Sequence, residues 1–500
     1  MKFYLAFILC VFSFSNLHPQ KASEGEAWQN QKNFYPLKFI GEINDKLMLA
    51  YGAAEKGSSH IQHIDIETID TAALKYVSTK NFQNVFNDKF DFYPEDIQLK
   101  NGKLNFLGST YDKKTKNNVL YRKEETDSGI LSEKKMLWEY PSTYFEASNK
   151  KFKFCTNKKQ DLQLSLGVQT GGEGNYVVYF AIIDNKYNVI KKKSASLDLK
   201  GKAIKINQFS IDEPGNVHLL VQYQRSEDSL DLGFSLFAFP ILTDDILEYQ
   251  LDLPEKQITS VYYDLTENDH LKVCGLYQTD FKKTEISAGT FYMDIDRETA
   301  EVIQKSIVPF NASFLGNFSG ESVKMTKDDF KYLKIILASC NKDGSFQLYA
   351  EQTQATELCE TDYRSGLQIC KDEFKSDKIL IINFNSSANV DWFQWLYKNQ
   401  YSLDDEGIFL SFNLIQEEKS SLFVFNELAE KKKQENQLSS KSATVLKTIS
   451  INTSGQFQEI AFPLFCKFPL LHNTYFESKS SAYYFLRSDL SNNSILKIKY

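Results

Sequence analysis

Apolar and polar residues alternate along this chain in short runs, and the runs recur in a fixed order. A turn leads into an alternating apolar strand, a polar loop follows, and a second apolar strand runs into Asp or Asn; eight such units can be traced. The clearest are Asn101-Gly102-Lys103-Leu104-Asn105-Phe106-Leu107-Gly108 with Leu120-Tyr121 downstream, and Asp269-His270-Leu271-Lys272-Val273-Cys274-Gly275 with Phe291-Tyr292-Met293-Asp294. The central apolar residues of the first strands are Leu47, Leu104, Leu162, Val217, Leu271, Phe346, Leu422 and Tyr484, with steps of 57, 58, 55, 54, 75, 76 and 62 residues. The second strands contain Ile64, Leu120, Phe180, Phe237, Phe291, Leu380, Ile449 and Leu496.

Further strand-like stretches between the units, such as 203–211 and 302–308, give each repeat four antiparallel strands. One such sheet alone leaves an apolar face in water. Packing successive sheets radially covers both faces, and closing the ring protects all but short edges. The pattern therefore predicts an all-β fold, a β-propeller of eight blades with four antiparallel strands each. A seven-bladed ring with a partial extra unit is the competing count. An open solenoid fits less well, because solenoid repeats are shorter.

Turn chemistry agrees with the strands. Asn101-Gly102, Asp343-Gly344, Pro214-Gly215-Asn216 and Ser454-Gly455 are hairpin-type connections that need φ > 0. The eighth unit ends in a strand over 495–500, without an outermost partner, so the N-terminal segment 28–38 is expected to complete that sheet and close the ring. The steps to Phe346 and Leu422 are the longest. Their extra residues fall in 311–329, in the loop between Cys359 and Cys370, and in the charged stretch 426–443. Function commonly sits on such loops, so units six and seven are its expected location. Residues 426–439 have helical propensity, but their charge reads as a surface loop or a short exposed helix.

Composition narrows the class. The 500 residues include 39 Phe and 27 Tyr against 4 Trp and 10 Pro, which favours half-buried strands. A chain of this length would ordinarily make about three domains, but the repeats fill it as a single domain over 16–500. A net charge of −7 argues against nucleic-acid binding, which needs a basic face. The lysine triplets at 191–193 and 431–433 read as solvated turns. Lys2, the apolar run 3–14 broken only by Ser13, and Ser13-Phe14-Ser15 have the form of a signal peptide over 1–15. That run is short of the roughly 20 residues a membrane helix needs, and Phe7-Ile8-Leu9 lacks the small residue that precedes a lipoprotein cysteine. A soluble, exported protein without a transmembrane segment is expected, whether periplasmic, at the cell surface or extracellular.

Export permits disulfides. Six cysteines follow the signal segment and allow 15 complete pairings. Cys359 and Cys370 flank Asp362-Tyr363-Arg364-Ser365-Gly366 and are the best local pair, while Cys155 and Cys274, inside apolar strands, read as buried free thiols. No Cys-x-x-Cys spacing suggests zinc or redox chemistry.

Several repeat elements carry a family resemblance. They are Gly108-Ser109-Thr110-Tyr111, Gly275-Leu276-Tyr277, Gly289-Thr290-Phe291-Tyr292-Met293-Asp294-Ile295-Asp296, and the late segment Val390-Asp391-Trp392-Phe393-Gln394-Trp395-Leu396-Tyr397-Lys398-Asn399-Gln400. In these the chain resembles the uncharacterised exported propeller-like proteins of Bacteroidetes over nearly all of its mature length. The shared motifs are structural, so the resemblance implies a fold and an exported setting and carries no catalytic residue.

Enzymatic propellers carry recognisable sequence signatures. Sialidase-type Asp boxes do not occur, and Gly316-Asn317-Phe318-Ser319-Gly320 places serine one position too late for a nucleophile elbow. Gly171-Gly172-Glu173-Gly174 reads as a flexible hairpin tip rather than a phosphate loop. His60 and His63 are three apart on a strand and so face opposite sides; His218, His270 and His472 stand alone. Asp65, Asp184, Asp294 and Asp296 could converge on Ca²⁺, but no Asp-x-Asp-x-Asp-Gly loop exists to pre-assemble such a site, and turn capping is the simpler role. Trp392 and Trp395, also three apart, read as core or inter-blade packing rather than a sugar platform.

No catalytic, cofactor-binding or metal-binding residue is therefore assigned, and no cofactor is expected. The favoured function is a monomeric, non-enzymatic binding or scaffolding module that engages a protein or glycan through loops at one end of the ring. The alternative is a glycoside hydrolase or lyase, which would need paired carboxylates about 5–10 Å apart in the central funnel. A structural surface component without a small ligand is a third reading.

Overall fold

The computed structural model describes residues 21–499 except 30–34, 55–60, 84, 86–92, 143–150, 171–175, 198, 200–203, 226–230, 267–269, 281–284, 298, 300, 312–326, 362–367, 404–406, 418–419, 429–443, 461–464, 467–468, 479–481 and 489–491. The signal-like segment 1–15 lies outside the described residues. Within them the chain forms eight antiparallel sheets in sequence order, an eight-bladed β-propeller almost without helix.

Blade one contains Tyr35–Ile43, Lys46–Ala54, Ile61–Asp70 and Lys75–Gln83, and blade two Tyr93–Lys100, Lys103–Asp112, Asn117–Glu124 and Lys135–Pro141. Blade three contains Lys153–Thr156, Leu162–Thr170, Tyr176–Asp184 and Val189–Leu197; blade four Ile204–Ile211, Val217–Gln224, Leu232–Phe239 and Leu247–Gln250. Blade five contains Gln257–Leu265, His270–Gln278, Gly289–Asp296 and Val302–Pro309; blade six Leu333–Cys340, Phe346–Thr361, Gln368–Phe384 and Val390–Leu403. Blade seven is built on Asn413–Gln416, Ser420–Leu428, Thr444–Asn452 and Phe457–Glu459, and blade eight on Leu470–Glu477, Ala482–Ser488 and Asn492–Lys499.

All eight reference residues of the repeat fall on the second strand of their blade, and their downstream partners on the third. These two central strands carry the apolar content because both of their faces are covered. Leu348 and Ala350 pack toward blade five, while Tyr349 between them packs toward blade seven. Trp395 and Trp392 divide in the same way, the first toward blade five and the second toward blade seven, so the inter-blade reading of this pair holds.

One apolar cluster fills each junction between neighbouring blades. Between blades four and five, for example, Leu220, Phe234 and Leu236 meet Tyr263, Leu271 and Val273. Blades eight and one share a cluster of the same kind, in which Leu47, Leu49 and Tyr51 meet Tyr484, Leu486 and Ile495. The first strands of neighbouring blades approach one another and so lie nearest the axis. At Asn101-Gly102 both residues have positive φ, 53° and 75°, the geometry of a two-residue hairpin joining the first two strands of blade two.

Two expectations need correction. Among the described residues of the segment 28–38, only Trp28–Gln29 pairs with blade eight, on Asn492–Lys499; the longer N-terminal strand on that edge is Lys21–Glu24, held by Arg487 donating to Glu24. Tyr35–Ile43 is instead the inner strand of blade one, because its alternating apolar residues pair with Lys46–Ala54. Asn426 belongs to the strand Ser420–Leu428, not to a loop or helix. Its buried amide donates to the carbonyls of Phe409 and Leu470, at 2.9 and 2.8 Å, and accepts the Leu470 amide. Residues 429–443 lie outside the described residues.

Trp28 is buried between blades eight and one and donates its indole N–H to Glu67 at 2.8 Å. Burial pushes the Glu67 carboxyl up to about 7, against the opposing effect of this hydrogen bond. A carboxyl whose folded pKa is raised binds more protons in the native state than in the unfolded chain, so it weakens the fold as pH rises from about 4.5 to about 7. Glu67→Gln keeps an acceptor for Trp28. Its urea midpoint should exceed that of the wild type at pH 8, match it near pH 4, and show a flatter profile between; equal profiles would refute the assignment.

Candidate functional site

Five of the eight inner strands carry a β-bulge near their start, at 37, 95, 207, 259 and 336. A bulge inserts one residue opposite a single partner, bends the strand and re-aims a side chain. In blades four, five and six the bulged residues Asn207, Thr259 and Ile336 line one cavity of about 430 Å³. The inner strands supply Lys205, Gln208, Ser260, Tyr262, Lys334 and Ile335 to its wall, and the second strand of blade four supplies Gln222.

The wall is fixed by side chains that bridge neighbouring inner strands. The Gln208 amide donates to Tyr263 O at 2.7 Å and accepts Tyr263 N–H at 3.1 Å, tying blade four to blade five. Ser260 Oγ accepts Ile335 N–H at 3.2 Å, tying five to six. Asn207 donates to Gln222 Oε1 at 3.1 Å, and Thr259 donates to Leu276 O at 3.2 Å. Lys205 and Lys334 occupy one register position in their blades, each two residues ahead of the bulge, opposite Gln222 and Glu351. Both are exposed to the channel, and neither has an ion-pair or hydrogen-bond partner among the described residues. Lys153, at the start of the blade-three inner strand, is near enough to Lys205 that partial desolvation, then the Lys205 charge, lower its pKa. No carboxylate is among the described residues lining this cavity.

Blade six adds an arm at the same end of the ring. Its inner strand begins at Leu333, opposite Gln352, and the second and third strands continue beyond that point as a hairpin over 353–361 and 368–376. Cys359 and Cys370 lie directly opposite each other in it and are disulfide-bonded, with Cα atoms 4.0 Å apart. At the arm's root, the fully buried Lys398 ammonium donates to Glu351, Ser376 and Gln400 Oε1, using all three of its hydrogens. Ser411 Oγ donates to the other Glu351 oxygen at 2.7 Å, and Gln400 reaches Asn426 O of blade seven at 2.9 Å. With every donor engaged and no solvent access, this network holds blades six and seven together rather than binding a ligand.

The residues singled out from sequence are dispersed. Asp184 and Asp296 cap turns, accepting N–H bonds of 2.8 Å from Lys186 and Asn188 and from Thr299 respectively. Asp294 instead pairs with His270 at 2.9 Å, and buried Asp65 accepts a bond from Asn81 at 2.9 Å. These carboxylates sit on blades one, three and five and do not converge. His60 and Gly171-Gly172-Glu173-Gly174 lie outside the described residues, as does the side chain of His472. His63 is half-buried on the third strand of blade one.

His218 is buried in a knot with Asp212 and Arg297, the Asp212–Arg297 contact being 2.9 Å. Asp212 also caps the turn at Gly215 and Asn216, which makes the knot a turn lock. Cys274 is buried and Cys155 half-buried, both as free thiols; burial raises the Cys274 thiol and pushes Cys155 up to about 12. Sequence reasoning missed Lys205 and Lys334, although both stand twelve residues ahead of the repeat's reference residues, Val217 and Phe346.

No protein-family model matches the chain, and no curated protein matches it. Solved structures similar to it are β-propellers at low identity. The β-propeller domain of the Trilobed protease from Pyrococcus furiosus is 9% identical, with 88% of this chain and 99% of that one covered and a TM-score of 0.35. An ulvan lyase of a new polysaccharide lyase family is 9% identical, with 95% of each chain covered and a TM-score of 0.38. The Synechocystis apocarotenoid oxygenase is 7% identical, with 88% and 96% covered and a TM-score of 0.35. No helix among the described residues is long and apolar enough to cross a membrane.

Removing one member of a buried ion pair strands the other. Lys398→Met should therefore cost about 3–5 kcal/mol in urea unfolding, and adding Glu351→Gln should restore most of it; a near-neutral single variant would contradict the network. Reducing the Cys359–Cys370 bond should speed amide exchange over 353–376 while leaving the central strands of the other blades unchanged.

Proposed function

We propose that the protein is an exported binding module whose ligand seats at the axial mouth formed by blades four, five and six. One observation carries this reading: a prebuilt cavity whose wall is fixed by inter-blade hydrogen bonds and carries lysines without counter-charge. A pocket of a few hundred Å³ with a few fixed polar groups is the usual form of a ligand site. Rigid placement lowers the ordering cost of binding. The blade-six arm flanks the same mouth and supplies an exposed rim. Membership of the exported Bacteroidetes propeller-like group, and the signal-like N-terminus, belong to the same proposal. A glycoside hydrolase needs two carboxylates at the reacting bond, and the described residues of the cavity lining offer cations and amides in their place.

Ile336, exposed at the cavity wall, is suited to a blocking substitution. Ile336→Trp should leave the far-UV spectrum and urea midpoint unchanged within error and abolish retention of envelope glycans or proteins by the immobilised protein. Retention that survives Ile336→Trp and disappears when the arm over 353–376 is shortened would move the site to the arm.

A further inference from the structure

The ligand's chemical class follows from how the inner edge of the ring is built, and this step rests on the binding reading above. We propose that the axial cavity of blades four to six recognises an acidic saccharide, one carrying carboxylate or sulfate groups among free hydroxyls.

Charge selects an anion. Lys205 and Lys334 stand on either side of the blade-five strand Gln257–Leu265 at matching register positions, and Lys153 stands beside Lys205. None of the three has an ion-pair or hydrogen-bond partner among the described residues. By contrast, Lys38 on the blade-one inner strand pairs with Asp96 of blade two at 2.6 Å. The protein carries a net charge of −7, so an unmatched basic wall runs against its overall balance. A charged ligand would find its focus there.

Backbone geometry selects a saccharide over an acidic peptide. A peptide would bind an open sheet edge by adding a strand, which requires a regular ladder of free N–H and C=O groups. The inner edges here are interrupted by bulges at 207, 259 and 336. Gln208 and Ser260 already span the gaps between them. What faces the cavity is side-chain hydrogen-bonding capacity. Gln222 uses its carbonyl oxygen for Asn207 and keeps its NH₂, Asn207 keeps its carbonyl oxygen, and Thr259 keeps its lone pairs. Paired donors and acceptors of this kind match vicinal hydroxyls. Ile336, Ile335 and Val261 supply apolar wall for the C–H face of a sugar ring.

The test is calorimetric titration of the full chain with trigalacturonate, a sulfated trisaccharide, neutral maltotriose and hexaglutamate, at low and high NaCl. An acidic trisaccharide should bind and maltotriose should not; the two acidic probes separate carboxylate from sulfate. Lys205→Gln and Lys334→Gln should each weaken binding about tenfold, and 0.5 M NaCl should weaken it further through screening. Lys192→Gln, on the outer strand of blade three, should change nothing. Equal binding of maltotriose, or tighter binding of hexaglutamate, would overturn the ligand class and leave the binding reading standing. Acidic saccharide binding untouched by both lysine variants would overturn the site. If no saccharide binds, the inference fails; the binding reading fails with it only if Ile336→Trp also leaves retention from the envelope unchanged.

Discussion

Every blade depends on its neighbours to cover it. The second and third strands of each sheet are apolar on both faces, as Leu348 and Tyr349 show by packing in opposite directions. Full burial of one such side chain is worth about 1.5–3 kcal/mol, and each junction contains several. The cluster joining blade eight to blade one is of the same kind as the other seven, so no junction is left as an open apolar face. Losing a blade would expose two faces at once. That geometry ties the fold into one unit and holds the inner strands around a common axis.

The inner strands themselves meet a different constraint. Each has a partner on one side only, and a regular unpaired edge invites strand addition by another chain. Here the edges are blunted by bulges and bridged by Gln208 and Ser260. Blunting the edge turns side chains toward the channel, and in blades four to six those side chains include cations, amides and hydroxyls beside Ile336. Blade six shows a second solution, extending its central strands into a stapled arm and securing the root with the buried Glu351–Lys398 pair.

Much of the fold could be read from the sequence, because the central strands are buried on both faces and repeat at a recognisable spacing. Leu47 to Tyr484 mark the second strands, and Trp392 and Trp395 split between two junctions as their three-residue spacing requires. The course of the N-terminus was less legible. Trp28 and the strand at Tyr35 lie close in sequence but serve different blades, and what separates them is strand pairing, Trp28 with Asn493 of blade eight and Tyr35 with Gly52 of blade one. Asn426 looked like the start of a polar insertion because its partners, Phe409 and Leu470, are remote in sequence. The site was the least visible part. Bulges are properties of pairing register, and isolated lysines resemble solvated surface until their register positions are compared.

As proposed above, the inner strands of blades four to six form a prebuilt seat for an anionic, hydroxyl-rich ligand. A crystal structure of the protein soaked with trigalacturonate tests it most directly. A carboxylate should lie within hydrogen-bonding distance of Lys205 or Lys334 and a sugar hydroxyl on Gln222 or Asn207, with the inner strands unmoved. Density for the saccharide on the blade-six arm or the outer strands, with the axial cavity holding only water, would contradict it.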